Sequence, residues 1–198
     1  MHILITGENG YLGSSIIDTL HHHHTIIMYD GDVRNEKRFD QVDMIIHMAS
    51  PSDRYDFQDK CKTVTTIIEG TINMVSLANI HNAKLIFAST MGVHTFNVDD
   101  EYCSCKRAME HYIKASCDKY LIMRIPRVYS SCRNKGLIKS LKDNTVQNYD
   151  MNKTLNYLDL NDFKKQFISS MLLENTIFEF SKIKTNTIKE IKEIYIPK

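Results

Sequence analysis

Over the first two thirds of the chain, short apolar runs alternate with stretches whose apolar residues recur every three or four positions. Residues 2–6 form an Ile/Leu-rich run, the pattern of a strand buried on both faces. Residues 14–20 have helical spacing, and residues 25–30 form a second strand that ends in an acid. The pattern then predicts a short helix over 36–41, a strand over 42–49, a long helix over 58–80 and a strand over 83–88. A helix over 101–116 and a strand over 120–125 follow. Strands that alternate with helices in this way predict an α/β fold, a Rossmann-type doubly wound parallel sheet with helices on both faces. Past residue 130 the pattern loosens into helices at 136–143, 162–173 and 187–194 and a strand at 176–180. We therefore divide the chain into a dinucleotide-binding unit, residues 1–130, and a reduced C-terminal substrate cap, residues 131–198.

Composition narrows the class. The chain has 198 residues, 42% hydrophobic and 25% charged, which describes one globular domain of ordinary size. A net charge of +1 at pH 7 argues against nucleic acid or an anionic membrane as the main partner. No apolar run approaches the roughly 20 residues of a membrane span, and the N-terminus lacks a signal peptide's layout. The five cysteines include no C-x-x-C pair, so we expect free thiols and a cytoplasmic protein. Residues 21–24 are all His; lying between an apolar helix and an apolar strand, they read as a polar helix end and turn, and no metal site is expected.

The first chemical signal is Gly7-Glu8-Asn9-Gly10-Tyr11-Leu12-Gly13, set between a strand and a helix. Glycines at this spacing allow a tight turn and let the backbone approach a pyrophosphate, which then meets the helix N-terminus. The alternative is a plain strand-to-helix turn. Asp30 ends the second strand, where a carboxylate can bind both ribose hydroxyls and repel a 2′-phosphate, favouring NAD over NADP. Arg34 keeps NADP open, since it is a cation near that ribose. Asp32, followed by Val33, is either a cap on the adenine end or a turn residue. Met48, Ala49 and Ser50 end the third strand with small residues where a cofactor backbone would approach. The second signal is Tyr102-x-x-x-Lys106, one helical turn apart on one face. An ammonium beside a phenol favours phenolate and is expected to lower the Tyr pKa toward physiological pH. Thr90 lies twelve residues upstream.

These pieces in this order resemble the extended short-chain dehydrogenase/reductases, in particular the NAD-dependent epimerase/dehydratase branch that acts on sugar nucleotides. The resemblance covers most of the chain. It rests on the glycine motif, Gly70-Thr71-Ile72-Asn73, Phe87-Ala88-Ser89-Thr90, Tyr102 with Lys106, Arg124-Ile125-Pro126-Arg127, and the late segments 156–162 and 187–194. It implies Thr90, Tyr102 and Lys106 as catalytic residues, with Tyr102 exchanging a proton with substrate. It implies further cofactor contacts from Ala88, Ile125 and Pro126, and substrate contacts from Thr90 and Arg127. Arg127 stands where the family has an Asn; it reads as a diphosphate clamp or as one half of a structural ion pair. Members that dehydrate carry an acid–base pair where Met91 and Gly92 stand, and members that decarboxylate carry a Glu at Gly92. The expected function is an NAD(P)-dependent epimerase or reductase acting on a nucleotide sugar. The alternatives are a reductase of a small carbonyl compound and a dinucleotide-binding protein without turnover. The family also implies a homodimer through the helices at 58–80 and 101–116.

Overall fold

The computed structural model describes residues 1–51, 56–95, 100–146 and 149–197. Six parallel strands form the main sheet: β1 (His2–Thr6), β2 (Thr25–Met28), β3 (Met44–His47), β4 (Lys84–Thr90), β5 (Tyr120–Ile125) and β8 (Thr176–Glu179). Their spatial order is β2-β1-β3-β4-β5-β8. The order reverses between β1 and β3, which opens a crevice at the carboxyl ends of those strands, the usual ligand position in such sheets.

Alternating side chains divide the core between the two faces. Leu4, Ile45, Leu85, Phe87 and Ile122 face α2 (Lys60–His81) and α3 (Glu101–Ser116). Ile3, Ile5, Ile46, Ile86 and Met123 face α1 (Tyr11–Leu20) and α5 (Leu160–Ser170). Every one of these strand residues is fully buried, which is why the strands read as unbroken apolar runs. Polar residues set the helix ends. Asp59 accepts from Lys62 N–H and Asp100 from Cys103 N–H, while Asn82 closes α2 in the left-handed conformation at φ 51°.

The C-terminal part forms a three-stranded sheet of β6 (Val128–Tyr129), β7 (Thr154–Asp159) and β9 (Lys184–Thr187), with α4 (Gly136–Lys142) and α6 (Ile188–Tyr195) beside it. Tyr129, Tyr157 and Tyr195 pack together here with Ile138, Ile188 and Ile191. A capping box between Thr187 and Glu190 starts α6. From the same part of the chain, β8 joins the main sheet and α5 covers it.

Strands β6 and β7 are not among the expected elements, and two further differences have a cause in local contacts. Residues 36–41 form no helix. Phe39 packs on the core beside Tyr29, and the Tyr29 hydroxyl donates to the Asn35 carbonyl, which draws the segment out along α2. The strand β9 has no apolar pattern to announce it; the sequence Lys-Thr-Asn-Thr is held by pairing with β7 and by the bond from the Tyr157 hydroxyl to Asn186.

The strand-to-helix turn leaves no room at Gly13, where a Cβ would lie 2.2 Å from the Gly7 carbonyl oxygen. Gly13→Ala is therefore expected to lower stability by about 2–3 kcal/mol, roughly 5–10 °C in Tm. Calorimetry that finds Tm unchanged would show that the turn can relax.

Candidate active site

The glycine loop is shaped by contacts with the next strand end. Gly7 has φ +73°, and a Cβ on it would meet Ala49 N at 2.7 Å and the Met48 carbonyl carbon at 2.8 Å. The glycine loop therefore lies against Met48 and Ala49. Gly10 N–H donates to the Gly7 carbonyl at 2.9 Å. At the N-terminus of α1, Gly10 makes no side-chain cap and the first turn holds no acid. The N–H groups of Tyr11, Leu12 and Gly13 open that helix and have no partner within it. Asn9 bonds its neighbour Glu8 at 3.0 Å. The Tyr11 hydroxyl donates to Ser130 Oγ at 2.8 Å, and the Arg133 guanidinium lies 4.7 Å from the Tyr11 ring centroid.

Behind this loop runs a chain of hydrogen bonds that sequence spacing did not reveal. Ala49 N–H donates to Thr6 Oγ1 at 3.1 Å, and Thr6 Oγ1 lies 2.7 Å from His47 Nδ1. His47 Nε2 lies 3.3 Å from Thr71 Oγ1, which donates to the Ile67 carbonyl at 2.6 Å. Because the Thr71 hydrogen is spent on Ile67, His47 carries its own hydrogen on Nε2 and accepts from Thr6 at Nδ1. Burial, with Lys106 nearby, pushes the His47 pKa down to about 3 and keeps the ring neutral.

At the adenine end, Asp30 is exposed just past β2. Asp32 is engaged by Arg34: Nε reaches both carboxylate oxygens at 3.0 Å and Nη2 reaches Oδ2 at 2.5 Å. These bonds hold the Asp32 carboxyl at about 2. Val33 is buried against Gly70, where a Cβ would lie 2.6 Å from Val33 Cγ2, and Asn73 Nδ2 donates to the Val33 and Arg34 carbonyls. Gly70 and Asn73 therefore fix the adenine-side loop from α2.

Thr90 ends β4, where Lys106 also reaches, and Tyr102 stands one turn before Lys106 on α3. Thr90 Oγ1 accepts from Gly92 N–H at 3.1 Å, which leaves its own hydrogen free to donate outward. Lys106 is 2% exposed and its Nζ donates to the Ala88 carbonyl at 2.8 Å. That ammonium lies 4.6 Å from the Phe87 ring centroid and 5.8 Å from the Tyr102 ring centroid. Phe57 packs on the outer side of Tyr102 at 5.1 Å between centroids. The structure corrects one expectation here. Burial pushes the Tyr102 phenol up to about 12, against the lowering effect of its hydrogen bond with Ser50. Lys106 does not pull it down, because burial drives the ammonium itself down to about 7.

Glu110, one turn beyond Lys106, was not singled out from the sequence, although the 102/106/110 spacing places it on the same face. It is 2% exposed, accepts from Ser89 Oγ at 2.5 Å, and is bound by Arg124 through Nε and through Nη2 at 2.7 Å. Arg124 continues to Glu179 at 2.9 Å, which meets His94 at 2.7 Å. Cys103 is a second omission. A Cβ at Gly92 would lie 2.5 Å from its Sγ and 3.4 Å from Thr90 Oγ1, so the thiol fills the space beside the catalytic Thr position. Burial and a hydrogen bond with Asp100 push that thiol up to about 12.

Ile125 and Pro126 end β5 at the same edge of the sheet, Ile125 buried and Pro126 half-buried. Arg127 beyond them is exposed and makes no ion pair with a described residue, so the structural ion pair considered for it is not formed there. Residues 21–24 continue from α1 into a turn, and no group of three or more His, Cys, Asp or Glu is placed to hold a metal among the described residues. No helix among them is long and apolar enough to cross a membrane.

The Lys106 shift gives a pH signature. Unfolded, Lys titrates near 10.5; folded, Lys106 titrates near 7. Between those values the unfolded chain holds a proton that the folded one lacks, so stability rises with pH. Above pH 9 the raised Cys103 and Tyr102 groups oppose this trend. Without added nucleotide, stability is expected to rise by about 1–2 kcal/mol from pH 7 to 9, with the rise absent in Lys106→Met. Denaturant titrations that give both proteins the same pH slope would remove Lys106 as the cause.

Comparison with known proteins agrees with this geometry. The model of the NAD dependent epimerase/dehydratase family matches residues 3–168. UDP-glucuronic acid decarboxylase 1 of Danio rerio is 33% identical over 116 residues, covering 46% of this chain and 28% of that protein. UDP-glucuronic acid decarboxylase 6 of Arabidopsis thaliana is 29% identical over 119 residues, covering 48% of this chain and 35% of that protein. The matches thus span about a third of the length of these curated relatives. Among solved structures, the UDP-glucose 4-epimerase of Thermus thermophilus, a complex with NAD, superposes with a TM-score of 0.80 at 17% identity, covering 96% of this chain and 81% of that one. The dTDP-4-dehydrorhamnose reductase of Bacillus anthracis str. Ames, a complex with NADP, gives 0.81 at 17% identity, covering 97% and 80%. At such identities the structural likeness speaks for the fold, whereas the family match takes in most of the sequence: this chain belongs to the NAD-dependent epimerase/dehydratase family.

Proposed function

We propose that this chain is an epimerase or keto-reductase of a nucleotide sugar that uses a nicotinamide dinucleotide. The observation that carries the reading is Lys106. A buried ammonium has three N–H donors, and among the described residues the one hydrogen bond it makes is to Ala88. The other donors sit at the carboxyl edge of the sheet beside Tyr102, where ribose hydroxyls of a dinucleotide would satisfy them. The uncapped start of α1 fits the pyrophosphate, and Asp30 fits the adenosine ribose. When bound, the nicotinamide supplies the hydride transfer.

The chain's own residues do the rest. Thr90 donates its free hydrogen to the substrate oxygen at the reacting carbon and holds it in place. Tyr102 gives a proton to that oxygen or takes one from it. Acquiring ribose hydroxyl partners favours the charged form of Lys106, and its ammonium then lowers the Tyr102 phenol. Arg127, exposed beyond β5 with no carboxylate partner among the described residues, suits a diphosphate. The sequence matches are to decarboxylases, but an acidic side chain at residue 92 would collide with Cys103. That contact favours epimerisation or reduction, which needs only Thr90, Tyr102 and Lys106. We further propose that residues 131–198 serve as the substrate cap, with β8 and α5 packed into the main sheet, and that α2 and α3 pair across a homodimer. Ile72 and Ile80, exposed on α2, would be covered there.

NAD or NADH should raise Tm by mass action, and a panel of UDP- and dTDP-sugars should reveal turnover. Tyr102→Phe is expected to lower kcat by about 10²–10⁴-fold with the cofactor Tm shift retained. Arg127→Ala is expected to raise KM about tenfold or more with kcat little changed, the loss of a charge-assisted bond. A protein whose Tm no dinucleotide shifts is not an enzyme of this kind. Cofactor binding with full turnover in Tyr102→Phe would instead remove the phenol from the proton path.

A further inference from the structure

Thr90 ends β4 and Tyr102 lies in the first turn of α3, so their relative placement depends on what holds the turn after Thr90. That turn, Met91–His94, is gripped from α3 on two sides. On one side, Arg107 Nε and Nη2 donate to the Val93 carbonyl at 3.1 and 2.7 Å, and Nη2 also donates to the Thr95 carbonyl at 3.1 Å. On the other, the Ser89 hydroxyl donates to Glu110 Oε1 at 2.5 Å, a charge-assisted bond between two buried side chains. Ser89 and Thr90 are successive residues of one strand, so their side chains leave opposite faces, and fixing the first sets the direction of the second.

Glu110 is fixed in its turn. Arg124 on β5 reaches Oε1 through Nε at 3.1 Å and Oε2 through Nη2 at 2.7 Å, and its Nη1 reaches Glu179 on β8 at 2.9 Å. Glu179 lies 2.7 Å from His94 Nε2, at the far end of the same turn. The run from Ser89 through Glu110, Arg124 and Glu179 to His94 therefore leaves the chain just before Thr90 and returns to it just after, bracketing the turn. None of these side chains has a part in the cofactor or proton path described above. We propose that Glu110 and Arg107 are positioning residues for Thr90: α3, which bears Tyr102 and Lys106, also fixes the turn that aims the Thr90 hydroxyl. One helix thus sets the distance between the hydroxyl that holds the substrate oxygen and the phenol that exchanges its proton. The inference rests on the roles of Thr90 and Tyr102 in the function proposed above.

Steady-state kinetics with the UDP- or dTDP-sugar that the protein turns over, joined to amide hydrogen exchange, tests this. Ser89→Ala removes the hydroxyl and leaves the Glu110–Arg124 pair. Arg107→Lys keeps a cation but gives up the fork that spans two carbonyls. Glu110→Gln keeps the shape, but its single carbonyl oxygen cannot accept from Ser89 and from both guanidinium nitrogens. Each replacement should lower kcat about tenfold, with KM and the NAD-induced Tm shift little changed. In a Thr90→Val background the same replacements should lower kcat by less than about twofold further, because they act through Thr90. The Gly92 amide, which donates to Thr90 Oγ1, should exchange faster in each variant, by a larger factor than the Ile122 amide of β5. The inference is overturned if Ser89→Ala and Arg107→Lys keep full kcat, if their losses are the same with and without Thr90, or if Gly92 exchange does not change. Should Glu110→Gln fail to fold, the other two variants decide the outcome. An unaltered protein that turns over no such sugar overturns the function proposed above and this inference with it, whereas the other adverse results strike this inference alone.

Discussion

The neutral ring of His47 joins three pieces of backbone at the crevice: the end of β1, the end of β3 and the middle of α2. Through Thr6 it holds the end of β1 and the Ala49 amide; through Thr71 it holds α2. Each member has one direction in which it can donate, so the run has a single consistent arrangement. Gly7 can then lie against Met48 and Ala49, at distances that a side chain would forbid. Burial serves this arrangement, because protonating His47 would cost the bond it accepts from Thr6, and its pKa near 3 keeps that from happening in ordinary buffers. The glycine loop, the end of β3 and the floor under the adenine loop are thus parts of one polar core.

On the other side of the crevice the same logic runs with charges. Glu110 is fully buried and tolerable because Ser89 and a bidentate Arg124 satisfy it. Lys106, one turn earlier on α3, has no carboxylate partner among the described residues. The helix therefore carries one compensated and one uncompensated ionisable side chain in adjacent turns, and the uncompensated one is at the crevice, the kind of place where perturbed groups gather.

Much of this was legible from residue type and spacing. The alternation of buried runs and periodic stretches announced the doubly wound sheet, and α3 and β5 appear with the expected bounds. Gly7, Gly10 and Gly13 after an apolar strand, and Thr90, Tyr102 and Lys106 in that order, are the sequence pattern behind the proposed site. What stayed hidden depends on contacts distant in sequence. His47 bonds partners 41 and 24 residues away, and no local pattern encodes such pairs. The phenol shift was misjudged because spacing reports proximity to Lys106 but not the water that burial removes. Residues 36–41 lack a helix because one aromatic, Phe39, gains more by packing on Tyr29 than six residues gain from a single turn.

The contact between Gly92 and Cys103 bears on how this site can change over generations. The two residues belong to different elements, a 3-10 turn after β4 and the first turn of α3, yet they share one volume. A side chain cannot enter position 92 while the thiol remains, and shrinking residue 103 alone leaves a void next to Thr90. Each single replacement is therefore disfavoured on the way to a pair that would fit. A new side chain at this wall therefore calls for two coordinated substitutions, so single mutations do not readily reshape it.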